Sequence, residues 1–196
     1  MDLFVSVGSV LLEYGWQTQV SRTILRDPYF EPNGPNDLAL LELMSWIEYT
    51  NEVLPVSLFG GTLNPDVVNA TGWGWPIFSG SVSSALQYIT LETISNAECE
   101  QSWGSRISSD RLCTRNVDGR GTCGRDMGGP LVFYGLQIGI IGGSDEECTG
   151  GAPNVHTRVA PYINWITNVI SGRIMGMCSE ILPHSKQQET ETKLEN

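Results

Sequence analysis

Lysine is almost missing from this chain of 196 residues: Lys186 and Lys193 are the only two. Positive charge of any kind is scarce, with 11 basic residues against 22 acids and a formal net charge of −11. That balance argues against nucleic acid and against anionic membrane surfaces as partners. No run of about 18 apolar residues occurs, so no membrane span is expected. The cysteines (Cys99, Cys113, Cys123, Cys148 and Cys178) include no Cys-x-x-Cys pair, which argues against a zinc ribbon. No metal and no cofactor are expected. The apolar opening "MDLFVSVGSVLL" has no basic residue before it, and Asp2 stands where a positive charge belongs. It therefore reads as an opening strand rather than a signal peptide.

What is present fits a packed β protein. Hydrophobic residues make up 40% and charged ones 17%, enough for a core. Gly 22 and Pro 10 call for many turns. Short strand-like runs recur over Leu3–Val10, Gln19–Leu25, Asp37–Leu43, Val67–Trp73, Tyr88–Thr93, Leu131–Tyr134 and Leu136–Ile141. Turn clusters such as "RDPYFEPNGPND" and "FGGTLNPD" separate them, the rhythm of an antiparallel barrel or sandwich. One helix is legible. "APYINWITNVISGRI" puts Pro161 at its start and Tyr162, Ile163, Trp165, Ile166 and Ile170 near one face, and Gly172 is expected to end it. The polar stretch 173–196 reads as a disordered tail.

Disulfides are the better reading of the cysteines, with reduced, buried thiols as the other. Spacing pairs Cys99 with Cys113 and Cys123 with Cys148, leaving Cys178 over. Such bonds require an oxidising compartment, so an extracellular, secreted protein is expected although no signal peptide is visible. That conflict leads to the expectation that chain precedes Met1.

The stretch "CGRDMGGP" (residues 123–130) is built as a sharp turn that presents one side chain, Met127. Around it, in order, lie "PNDLALLEL" (35–43), "TGWGW" (71–75), "CEQSWGSRISSDRLC" (99–113), "LQIGIIGG" (136–143) and "GAPNVHTRVAPYINWI" (151–166). In this order and spacing the chain resembles the trypsin-like, chymotrypsin-fold serine proteases over roughly residues 5–172. The resemblance implies an all-β fold of two six-stranded antiparallel Greek-key barrels with a C-terminal helix. Residues 1–60 would be the remnant of an incomplete first barrel, 61–160 the second barrel, and 161–172 the helix. It also implies the same two disulfides. By position Asp37 matches the triad acid and Met127 the nucleophilic serine. Arg125 takes the place of the oxyanion glycine. Gly121, Thr122, Gly142, Gly143, Ser144 and His156 match the specificity pocket.

Departures from the family's pattern shape the expected function. Acyl transfer needs a nucleophile, a base that takes its proton, and N–H groups that hold the oxyanion. Met127 has no proton to give. His156 and His184 are the only histidines, and neither stands where the family has its base. Gly142 replaces a serine that supports the triad acid. Gly121 removes the acid that would select basic side chains. Asp126, which in the family pairs with a freed N-terminus, needs another partner, and a nearby arginine is expected. The expectation is a non-catalytic homologue that binds or regulates a protein partner; the alternative is an active serine endopeptidase represented by a partial sequence. An incomplete first barrel would leave residues 1 to about 60 poorly stabilised unless a partner completes them. "NAT" at 69–71 makes Asn69 a glycosylation acceptor. The run Asp145, Glu146 and Glu147 reads as a solvated loop.

Overall fold

Alternation of apolar and polar residues lays down two antiparallel systems. The computed structural model describes residues 2–29, 34–61, 65–75, 81–104, 107–116, 121–143 and 151–181, without side chains for 173–181. In the first system β1 (Phe4–Val7) and β3 (Ala39–Leu43) flank β2 (Trp16–Leu25). Register runs from Phe4↔Gln19 to Val7↔Trp16 on one side and from Val20↔Leu43 to Leu25↔Ala39 on the other. The second pairing shifts between Val20 and Arg22, a bulge at Ser21.

The second system closes on itself. It uses β4 (Ser57–Leu58), β5 (Val67–Gly72), β6 (Gln87–Ile94), β7 (Arg111–Arg115), β8 (Pro130–Phe133), β9 (Leu136–Ile140) and β10 (Asn154–Arg158). Strand order is β10-β7-β6-β5-β8-β9, and β9 returns to β10 through Thr157↔Ile140 and Arg158↔Gly139. The result is a closed six-strand barrel, with β4 added in parallel outside β9. Closure removes the exposed edges that an open sheet would present. Along β5 the inward Val68 and Ala70 are buried, while the outward Val67 and Asn69 are exposed. Val68, Ala70, Leu91, Leu112, Leu131, Ile138 and Ile141 form the barrel core. Burying a leucine of this kind contributes roughly 2–3 kcal/mol.

A helix, α1 (Asn96–Trp103), precedes β7 and is tied to it by the Cys99–Cys113 disulfide. Closing that loop contributes about 3 kcal/mol on the chain-entropy view. Cys99, Cys113, Ile107 and Val155 are buried together beside it. Contacts group Met1–Pro161 into one compact unit and Tyr162–Asn196 into another. The second unit holds α2 (Ile163–Ile181), and a 3-10 turn at Ala160–Tyr162 precedes this helix.

The fold is mostly β, with a closed barrel, a second sheet and a C-terminal helix, as the sequence leads one to expect. Several details differ. Gly172 does not end α2, which continues to Ile181, so 173–181 is helix rather than tail. An interior glycine costs only about 1 kcal/mol, so Gly172 and Gly176 weaken the helix without ending it. The opening strand is shorter than Leu3–Val10, because Gly8 at φ 82° turns the chain after Val7. Among the described residues before Pro65, Leu38 is the only buried hydrophobic side chain. Phe4, Trp46 and Leu54 are exposed by 57%, 84% and 71%, so the three-stranded sheet draws little stability from a core of its own. None of the described helices is long and apolar enough to cross a membrane.

Candidate active site

The turn at residues 123–130 is fixed by one carboxylate. Asp126 Oδ1 accepts from the Gly74 N–H at 2.8 Å, and Oδ2 accepts from the Cys123 N–H at 3.1 Å. These backbone donors, not an arginine, are the partners of Asp126 seen here, which corrects the expectation from sequence. The reason is proximity. A Cβ on Gly72 or Gly74 would lie 2.0 or 2.3 Å from Asp126 Oδ1, so only glycine lets the "TGWGW" backbone come this close. Gly128, at φ 86°, then turns the chain back, and its N–H donates to the Ile141 carbonyl at 2.8 Å. The Ile141 N–H donates to Gly129 O at 2.7 Å. The turn is thereby sewn to the end of β9, next to Gly142 and Gly143.

Met127 stands at the tip and is 65% exposed. Arg125 adopts φ 74°, a left-handed conformation that costs a non-glycine residue about 1 kcal/mol. Its guanidinium lies over the Trp75 ring, 5.9 Å from the centroid. The side chain is thus drawn to the indole face, a cation–π contact. The N–H groups of Arg125 and Met127 make no hydrogen bond among the described residues.

His156 is fully buried on β10. Its Nδ1 accepts from the Gly142 N–H at 3.3 Å. That bond assigns the proton to Nε2, which donates to Thr114 Oγ1 at 2.9 Å. Burial lowers its pKa from 6.5 to about 3, so the imidazole is neutral. Gly143 O accepts from the Val155 N–H at 3.1 Å, so the Gly142–Gly143 wall and β10 are held side by side. Thr122 is buried and Gly121 half-buried just before the turn.

Asp37 is half-buried at the entry to β3. Its backbone carbonyl accepts from Thr157 Oγ1 at 2.8 Å, and Thr157 Oγ1 in turn accepts from buried Arg111 at 2.9 Å. This relay brings the Asp37 segment against β10, next to His156. Sequence reasoning missed Arg111 and Thr157; a buried arginine and threonine carry no hydrophobic signal. Cys99 and Cys113 are bonded to each other, and Cys123 is also in a disulfide. Its expected partner Cys148 lies outside the described residues, as do Ser144 and the run Asp145–Glu147. Asn69 is exposed on the outer face of β5, where its Oδ1 accepts from Thr90 Oγ1 at 2.9 Å.

Geometry therefore gathers the presenting turn, the Gly142–Gly143 wall and β10 in one place. Residues 5–166 match the family described as Trypsin. Chymotrypsin-2 of Vespa crabro is 39% identical over 166 residues, 83% of this chain and 75% of that protein. The chain belongs to the trypsin family. Brachyurin of Leptuca pugilator is 34% identical over 134 residues, 67% of this chain and 59% of its own length. Among solved structures, neuropsin, titled a serine protease expressed in the limbic system of mouse brain, has a TM-score of 0.81 at 24% identity. That likeness covers 87% of this chain and 80% of that one, and it concerns the trypsin fold alone. The chain spans about three quarters and three fifths of the lengths of the two curated relatives.

Proposed function

We propose that this trypsin-family chain is a non-catalytic homologue that works outside the cell as a protein-binding or regulatory module. The observation that carries the reading is Met127 at the tip of the nucleophile turn. A thioether has no proton to surrender, and its attack on an amide gives no stable acyl intermediate. Loss of the serine alone costs on the order of 10⁶ in turnover in a well-studied protease. This holds whatever chain precedes Met1. The buried His156 supports the same reading, because both of its nitrogens are engaged by Gly142 and Thr114. Arg125 adds a long side chain where the family has glycine.

A second reading, serine-type endopeptidase, is favoured by two observations. Relatives are named chymotrypsin and brachyurin. The N–H groups of Arg125 and Met127 also make no hydrogen bond among the described residues, as an oxyanion cradle requires. Labelling the folded protein with a serine-directed fluorophosphonate separates the two. No labelling is expected, and stoichiometric labelling at any serine would overturn the first reading. Met127→Ser alone is expected to restore no peptide hydrolysis above a buffer control.

An extracellular setting accords with the Cys99–Cys113 disulfide. Asn69, exposed and with no donor bond from its Nδ2 among the described residues, is the proposed glycan acceptor. Protein from a secreting eukaryotic host should lose mass on treatment with an N-glycosidase, and Asn69→Gln should abolish that loss. An unchanged mass in the parent protein would remove the site.

A further inference from the structure

We propose that the three-stranded sheet carries a pocket for an arginine or lysine side chain of a protein partner. A cavity of about 450 Å³ lies there, lined by Trp16, Trp46, Ile47, Glu48, Glu52 and Val53, among others. Trp46 is 84% exposed and Trp16 47%, so two indoles are offered to solvent beside two carboxylates. Each part of that lining suits a cation. Indole faces attract ammonium and guanidinium groups through their quadrupole. A carboxylate adds a charge-assisted hydrogen bond, and Ile47 and Val53 cover the aliphatic stem.

The turn holding Glu52 is ordered. The Thr50 hydroxyl donates to Glu52 Oε2 at 3.0 Å, the Glu52 N–H donates to Thr50 Oγ1 at 3.1 Å, and the Thr50 N–H donates to Val53 O at 3.0 Å. One oxygen of Glu52 is left for a ligand. The Glu48 carboxylate has no hydrogen bond or ion pair among the described residues. Among the described residues, no cation of the chain lines the cavity. Before Arg106 the only basic residues are Arg22 and Arg26. Glu42 holds Arg22 through Nε and Nη2 at 3.1 and 3.0 Å, and Arg26 donates to the Asp27 carbonyl. Charge complementarity, on a molecule of net charge −11, therefore points to a basic side chain from outside.

This deepens the binding-module reading and rests on it only for the partner being a protein. The pocket shares no residue with the turn at 123–130. Fluorophosphonate labelling would sink that reading without touching the pocket, and a silent pocket would leave the labelling result intact.

The test uses the full chain and a capped glycine–serine peptide carrying arginines. A matched peptide carries citrulline, the neutral isostere of arginine. Indole N–H resonances of Trp16 and Trp46, assigned with W16F and W46F, report binding. The arginine peptide is expected to shift both resonances, and the citrulline peptide neither. Glu48→Gln with Glu52→Gln should weaken binding about tenfold or more. Glu100→Gln, exposed on α1, should leave it unchanged. Equal shifts with citrulline, or equal weakening by E100Q, would reduce the effect to apolar contact or to net charge and overturn the proposal. So would concentration-dependent shifts of Trp46 without peptide, which would make the occupant a second copy of this chain.

Discussion

His156 shows how one buried side chain makes stability depend on pH. The folded protein holds it neutral down to about pH 3, whereas in the unfolded chain it takes a proton near pH 6.5. Between those values the unfolded state binds the extra proton, so acid favours unfolding. The contribution is full above pH 6.5 and declines as pH falls toward 3, by up to about 1.4 kcal/mol per unit. Denaturant midpoints should therefore fall between about pH 6.5 and pH 4.5. His156→Gln should flatten that part of the slope while lowering stability overall. Parallel slopes in parent and variant would show that carboxylates alone carry the effect. The sequence placed His156 among the pocket residues, but the neighbours that set its tautomer, Thr114 and Gly142, come from distant segments.

Among the elements, α1 and strands β7 and β10 escaped the sequence pattern for different reasons. The helix carries a capping signal, Ser95 three residues before Glu98, and the Ser95 hydroxyl accepts from the Glu98 N–H at 3.1 Å. It was hidden because its exposed face is polar and Cys99 is its only buried residue. Ser95→Ala should cost roughly 1 kcal/mol, read as a lower thermal midpoint. An unchanged midpoint would mean that the disulfide, not the cap, holds this turn. Strands β7 and β10 lack alternation because both of their faces are buried and each face mixes apolar with polar side chains. Arg111 pairs with Thr157, Thr114 with His156, and Asn154 with Asn116. Such residues look exposed in a sequence, and their pairing offsets only part of the cost of burial, because Arg111 Nε donates and Asn154 Oδ1 accepts no hydrogen bond among the described residues. By contrast β5, β6 and β9 are legible from the period of two that Val68, Ala70, Leu91 and Ile138 carry, and β8 as a short apolar run around Leu131.

On the scale of the whole molecule, stability is unevenly spread. Among the described residues the buried apolar side chains lie mainly on or beside the barrel strands, and before Pro65 only Leu38, just ahead of β3, is one of them. Native-state hydrogen exchange should find amides of β1–β3 protected at least about tenfold less than those of β5, β8 and β9. Uniform protection would mean that both systems open together and that the Asp37–Thr157–Arg111 relay couples them tightly. The sequence by itself determined the barrel strands with apolar alternation, the glycine-rich turn and the identity of the residue it presents. Those follow from local pattern and backbone sterics. Only the tertiary structure decided that Asp126 is held by Gly74 and Cys123, that Arg125 lies over Trp75, and that two tryptophans and two glutamates share a pocket. These depend on which distant segments meet, and the nearest-neighbour order of residues carries no record of that.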